Sequence, residues 1–167
     1  MVERAYKYRF FPTAEQENLL RRTMGCVRLV YNKALDARTK AWYENQERIQ
    51  YKETSSLLTG SKKTEQLEFL NEVSCVPLQQ CLRHLQKAFA NFWGKRAKYP
   101  RFKAKRNGGS AEFTKSAFKF RDGKLRLAKC KEPLKGAGQL CKNKNTIDLK
   151  TFLTDKSALN WRGFTKP

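Results

Sequence analysis

Acidic residues are scarce in this sequence. Fifteen Asp and Glu stand against 36 Lys and Arg, a formal net charge of +21. Most of the acids fall in the first 75 residues, on helical faces such as those of Asp36, Glu44, Glu47 and Glu65. A nuclease needs clustered carboxylates to hold metal ions beside the scissile phosphate. That clustering is missing, so no catalytic residue, metal ligand or cofactor is expected. Histidine is reduced to His84, which has no orienting acid near it in sequence and reads as a surface polar residue. The five cysteines, Cys26, Cys75, Cys81, Cys130 and Cys141, form no CxxC and no Cys/His pair of zinc type. Their odd number, with no apolar leader at Met1, points to reduced thiols in a cytoplasmic protein. No apolar run has membrane-spanning length, and no helix pairs a basic face with a spare apolar one. Neither a membrane nor a small-molecule substrate is expected as a partner.

What is abundant is positive charge, and it is unevenly placed. Seventeen Lys and Arg against three acids lie between Lys95 and Lys144, two thirds of the net excess. Within that region, Phe92-Trp93-Gly94-Lys95-Arg96-Ala97-Lys98-Tyr99-Pro100-Arg101-Phe102-Lys103-Ala104-Lys105-Arg106-Asn107 contains seven bases and no acid. Its aromatics alternate with its cations. Cations neutralise phosphates, and aromatic faces stack on exposed bases. Pro100 holds Tyr99 extended. The stretch reads as a basic strap that binds nucleic acid through Lys95, Arg96, Lys98, Tyr99, Arg101, Phe102, Lys103, Lys105 and Arg106. The competing reading is a solvated charge run whose aromatics pack locally.

In chain order, Tyr6, Tyr8 and Phe10 alternate with Lys7 and Arg9, the period of a half-buried strand whose basic face binds nucleic acid through Lys7 and Arg9 or serves only to guard an edge strand against aggregation. Pro12 ends it. Thr13 and Gln16 have capping-box spacing. A short helix from Ala14 to Met24, an interruption at Gly25 and a longer helix from Cys26 to Glu47 suggest a helix-turn-helix-like pair, with Trp42 among the inward residues. Residues 62–70 read as a short helix. After Ser74, a candidate N-cap, Leu78, Cys81, Leu82, Leu85, Ala88, Phe89 and Phe92 form one apolar stripe, and Gln79, Gln80 and His84 fall on the polar face. Residues 107–110 read as a flexible loop. Residues 111–120 read as a strand, with a hairpin turn at Arg121-Asp122-Gly123-Lys124. Beyond Lys135 no period is clear. That tail is expected to be poorly ordered, with a helix over residues 145–159 as the alternative.

Ordered segments across residues 2–134 carry a resemblance. They include Tyr-Lys-Tyr-Arg-Phe-Phe-Pro-Thr (6–13), Gly-Cys-Val-Arg-Leu-Val-Tyr-Asn-Lys-Ala-Leu (25–35), Tyr51 to Leu58, Leu70 to Ser74, Val76 to Gln80, Ala88 to Trp93, Tyr99 to Lys103 and Phe118 to Leu125. Together these resemble the N-terminal half of the OrfB/TnpB proteins of bacterial insertion sequences. The resemblance implies an α+β fold. A partial, wedge-type β-barrel would carry a strand in 1–12, an inserted helical recognition lobe in 13–94, and the basic strap and hairpin in 95–134. It also implies that intact members are RNA-guided DNA endonucleases called transposases, whose RuvC-like nuclease half is missing here, as after truncation. The partners it implies are structured RNA and duplex DNA. The surface reading a duplex motif would include Tyr51, Gln79, Gln80 and Thr114, with Lys115 beside it. Gln is suited to adenine in a major groove. Cys75 departs from the family pattern, which has a cation near that helix start. The alternatives are a catalytic protein acting alone, a general RNA-binding structural protein and a non-functional pseudogene product.

Overall fold

The computed structural model describes residues 4–121, 124–137, 146–151 and 159–165, with side chains for residues 10–119, 121 and 124–134. Strand β1 (Arg4–Phe11) opens the chain, with Phe10 buried and Phe11 exposed. Helix α1 (Ala14–Asn45) follows. The Gln16 amide N–H donates to Thr13 Oγ1, and Thr13 N–H donates to Gln16 Oε1 at 3.1 Å, closing the expected capping box. Gln16 is itself buried. Its Nε2 donates to the carbonyls of Glu132 and Pro133, tying the first turn of α1 to a distant segment. Replacing Thr13 by Ala should cost about 1 kcal/mol, from loss of the cap. In thermal melts this is a downward shift of roughly 2–4 °C for a chain of this size.

The expected interruption at Gly25 is absent: α1 runs unbroken through it. A helical glycine costs only about 1 kcal/mol relative to alanine. Here Leu20, Met24, Val27, Val30, Tyr31, Ala34 and Leu35 bury a continuous stripe on both sides of it, and that burial is worth more. Residues 4–47 therefore contain a strand and one long helix, with no turn between two helices. Trp42, expected to point inward, is 41% exposed, because the stripe stops packing beyond Arg38.

Helix α2 (Tyr51–Ser61) is fully helical, and a 3-10 turn spans Glu65–Asn71. Helix α3 (Cys75–Trp93) starts after Ser74, which occupies the N-cap position without a side-chain capping bond. Its stripe of Leu78, Cys81, Leu82, Leu85 and Phe89 is buried and packs on α1, as the periodicity predicts. Residues 107–110 are not a loose loop. Asn107 ends a 3-10 turn, Gly108 takes φ 74°, and Gly109 and Ser110 already belong to β2 (Gly109–Thr114). Gly109 lies so close to α1 that a Cβ there would sit 2.8 Å from the Met24 Cβ. The strand enters the core at that contact, with Ala111 and Phe113 buried.

The segment read as one strand over 111–120 is two. A 3-10 turn at Lys115–Ala117 separates β2 from β3 (Phe118–Arg121). Strand β3 pairs with β4 (Lys124–Leu127) in the expected hairpin register, Arg121 opposite Lys124. This hairpin forms its own two-stranded sheet and does not join β1. The strands paired with β1 come from the tail. They are β5 (Lys135–Ala137) and β7 (Leu159–Thr165), while β6 (Thr146–Thr151) bridges β7 and β2. Thr146–Thr151 is thus strand where a helix was the alternative. The sheet order is β2-β6-β7-β1-β5. The class is α+β as expected, but among the described residues β2 and β5 remain outer strands and no closed barrel forms.

Candidate nucleic-acid interface

The strap begins where α3 is capped. Gly94 and Lys95 donate their N–H groups to the carbonyls of Ala90 and Phe92. Lys95 takes φ 55°, and Arg96 N–H reaches back to Asn91 O at 2.8 Å. That left-handed step turns the chain off the helix axis and back along α1. Tyr99 then anchors it. The ring stands edge-on to Phe89 and Phe92, with centroids 5.6 and 5.2 Å away, and its hydroxyl lies 2.9 Å from Thr39 Oγ1. Pro100 is buried. Further on, the Asn32 side chain grips the backbone of Lys103. Lys103 N–H donates to Oδ1 at 2.9 Å, and Nδ2 donates to Lys103 O at 3.1 Å. The amide imitates a neighbouring strand. It fixes an extended chain that has no ladder of its own.

Around these anchors the charges face solvent. Lys95, Arg96, Lys98, Arg101, Lys105 and Arg106 are exposed, and Phe102 is 59% exposed. None of these six cations has an acidic partner among the described residues. Three basic residues of α1 do: Arg21 pairs with Glu17, Arg22 with Glu72 at 2.7 Å and Lys40 with Asp36 at 2.8 Å. Lys103 differs from its neighbours, because its ammonium lies 4.4 Å from the Tyr31 ring centroid and its backbone is clamped. It serves the anchoring of the strap as much as its charge. A cleft of about 350 Å³ opens beside it, lined by Met24, Arg28, Phe102, Lys103, Gly108 and Gly109 among others. Arg28, which the sequence pattern did not single out, adds a cation there.

The remaining sequence-predicted residues lie on α3, on α2 and at the end of β2, which pack against it, and on β1. Gln79 is exposed and Gln80 half-buried near its start. One turn on, the Arg83 guanidinium lies 5.5 Å from the ring centroid of Tyr51, the first residue of α2. His84 Nε2 meets Glu112 Oε2 of β2 at 2.5 Å, so this histidine does have an acid partner, 28 residues away in sequence. Thr114, two residues beyond Glu112, is half-buried with its hydroxyl 3.0 Å from that of Ser116, and Lys115 is exposed. Tyr51 thus meets the middle of α3 at Arg83 and β2 meets it at His84, with the two glutamines a turn earlier on the same helix. Lys7 and Arg9 lie in β1, opposite Arg162 and Asn160, and their side chains fall outside the described residues. Burial pushes the Cys81 thiol up to about 12 and raises those of Cys26 and Cys130, so none of these three is a ready nucleophile.

Three relatives and one family model match this chain. Residues 1–47 match the helix-turn-helix domain of IS605-type OrfB proteins. A putative RNA-guided DNA endonuclease of Streptomyces pristinaespiralis is 63% identical over 134 residues, 80% of this chain and 33% of that protein. InsQ of Escherichia coli K12, also named a putative RNA-guided DNA endonuclease, is 35% identical over 99 residues. The virulence protein VsdF of Salmonella dublin is 32% identical over 111 residues, which cover 93% of its length. This chain belongs to the OrfB/TnpB family. It spans about a third and a quarter of the length of the two endonuclease relatives, and corresponds to the N-terminal part of such proteins. The domain that gives the match its helix-turn-helix name is here β1 followed by the single long helix α1.

Proposed function

We propose that this chain is a nucleic-acid-binding portion of an insertion-sequence protein. It grips the phosphate backbone of structured RNA through the strap and meets flanking duplex DNA through Tyr51, Gln79, Gln80 and Thr114. Residues 13–94 act as a recognition lobe and 95–134 as the strap, mounted on an open sheet that stands for the family's partial barrel. Cleavage, the activity named for the longer relatives, is assigned to the two thirds or more of their length that lies outside the match. The observation that carries the reading is the row of six exposed, acid-free cations on a backbone pinned midway, at Tyr99 and, through Asn32, at Lys103.

Binding through such a row releases condensed counterions. The slope of log K against log salt is about −0.9 per phosphate neutralised on duplex DNA and about −0.7 on a single strand. Six contacts predict a slope of roughly −5 on a duplex. A titration of the chain with labelled RNA hairpin and DNA duplex between 50 and 300 mM salt measures it. A flat plot on both would refute phosphate recognition.

A further inference from the structure

A second cavity of about 360 Å³ lies where the C-terminal ends of α1 and α3 meet, beside the link that leads into α2. Arg38, Trp42, Glu47, Arg48, Trp93 and Tyr99 line it. Its floor is unusual. Arg38 is 5% exposed, with its guanidinium 5.0 Å from the Phe89 ring centroid. One nitrogen, Nη2, donates to Gln86 Oε1, but Nε and Nη1 are buried with no hydrogen-bond partner among the described residues. A buried cation with donors left unmade is costly, and such groups in folded proteins call for an acceptor. Burial also lowers the pKa of this arginine, with the nearby charge of Glu53 opposing the shift.

The mouth is built differently. The Arg48 guanidinium stands 5.6 Å from the centroids of both Trp42 and Trp93. Two indoles therefore flank a slot that already accepts one flat group. Both are large and exposed, at 41% and 47%. Arg48 is exposed and sits in the link between α1 and α2, so its side chain is free to leave the slot. Two arginines and the carboxylate of Glu47 line the cavity, with Glu53 outside the lining but close enough to act on Arg38.

We propose that this cavity takes one unpaired nucleotide of a bound strand. Its base enters the slot between Trp42 and Trp93, and its phosphate or base acceptors meet Arg38 and the displaced Arg48. A base supplies the flat face that the indoles fit, and its strand supplies the oxygen acceptors Arg38 lacks. This rests on the nucleic-acid reading above and specifies which nucleic acid: a single-stranded element, in addition to the backbone held by the strap.

The test uses the full chain carrying Trp161→Phe, which leaves Trp42 and Trp93 as the two tryptophans. An oligothymidylate strand should quench their fluorescence, while a blunt duplex of equal length should bind, by anisotropy, without quenching. Trp93→Leu, Arg38→Met and Arg48→Gln should each weaken the single strand about tenfold and change duplex affinity less than about twofold. Arg48 is exposed, so that variant reads the site even if Arg38→Met melts early. Binding of the strand without quenching, or equal losses on duplex and strand, would overturn the pocket while leaving phosphate recognition standing. Thymidine monophosphate or polyglutamate quenching as tightly as the strand would also overturn it. Failure of both strand and duplex to bind at 50 mM salt would reject the underlying nucleic-acid reading.

Discussion

Reversing Lys98, Arg101 and Lys105 to Glu should weaken nucleic-acid binding by about 100- to 1000-fold at 0.1 M salt. Reversing Arg21, Arg22 and Lys40 should cost about tenfold or less. The two triple variants change net charge equally, so the difference isolates position. Each duplex phosphate contact contributes a salt exponent of about 0.9, or nearly a factor of ten in affinity at 0.1 M, which three lost contacts multiply. The structure supplies the reason for the contrast. Lys98 and Arg101 project from irregular, open backbone and Lys105 from the 3-10 turn that follows, with no acid beside them, whereas each of the three helix cations is already neutralised by Glu17, Glu72 or Asp36. The slope of the salt plot should fall by about 2.7 for the strap variant and little for the other. Equal losses in the two variants would show that binding follows the overall field alone, and would remove the special role of the strap. The helix variant creates like-charge pairs at 17/21, 36/40 and 40/44 and sets residue 22 against Glu72, with all three substituted positions exposed; the pairs four residues apart cost only a few tenths of a kcal/mol each.

What could be read from sequence was what is written locally. The α3 stripe from Leu78 to Phe89 repeats at three and four and was legible for that reason, as were the Thr13–Gln16 cap and the β3–β4 hairpin. Gly25 misled, because a local helix penalty is small beside the apolar surface that α1 buries on either side of it. The tail was illegible for another reason. Its strands are short, and their partners β1 and β2 lie far away in sequence, so no local period announces them. The interface divides the same way. The basic composition of the strap was plain, but its anchors were not. Asn32 and Lys103 meet across 71 residues, and nothing in either neighbourhood predicts the contact. Arg38 did carry a signal: it continues the spacing of Tyr31, Ala34 and Leu35, so an arginine occupies a core position of the helix. A charged residue on an apolar stripe is a better pointer to a site than a charge on a basic surface, since burial has to be compensated by something.

Asn32→Ala should release the strap while leaving the rest of the fold standing. The substitution removes two hydrogen bonds to the Lys103 backbone, each worth about 1 kcal/mol net, so the open strap gains at most about 2 kcal/mol, roughly thirtyfold in population. Asn32 and Lys103 are both half-buried, so water recovers part of this and the observed gain should be nearer tenfold. Tyr99 and Pro100 still pin the first half of the strap, and the α1–α3 core does not depend on Asn32. The loss should therefore appear as a local opening. Amide exchange at Lys103 should accelerate about tenfold while amides in the middle of α3 keep their protection. Nucleic-acid affinity should fall by a similar factor, because ordering the strap becomes part of the cost of binding. Asn32→Asp sharpens the argument. It keeps an acceptor for Lys103 N–H but sets a carboxylate against Lys103 O, so one bond survives and one becomes repulsive. Exchange should again rise. Unchanged exchange at Lys103 in both variants would show that Tyr99 and Pro100 alone hold the strap. Faster exchange with undiminished affinity would show that the cations bind equally well from a loose chain, and that the pinned geometry contributes nothing to recognition.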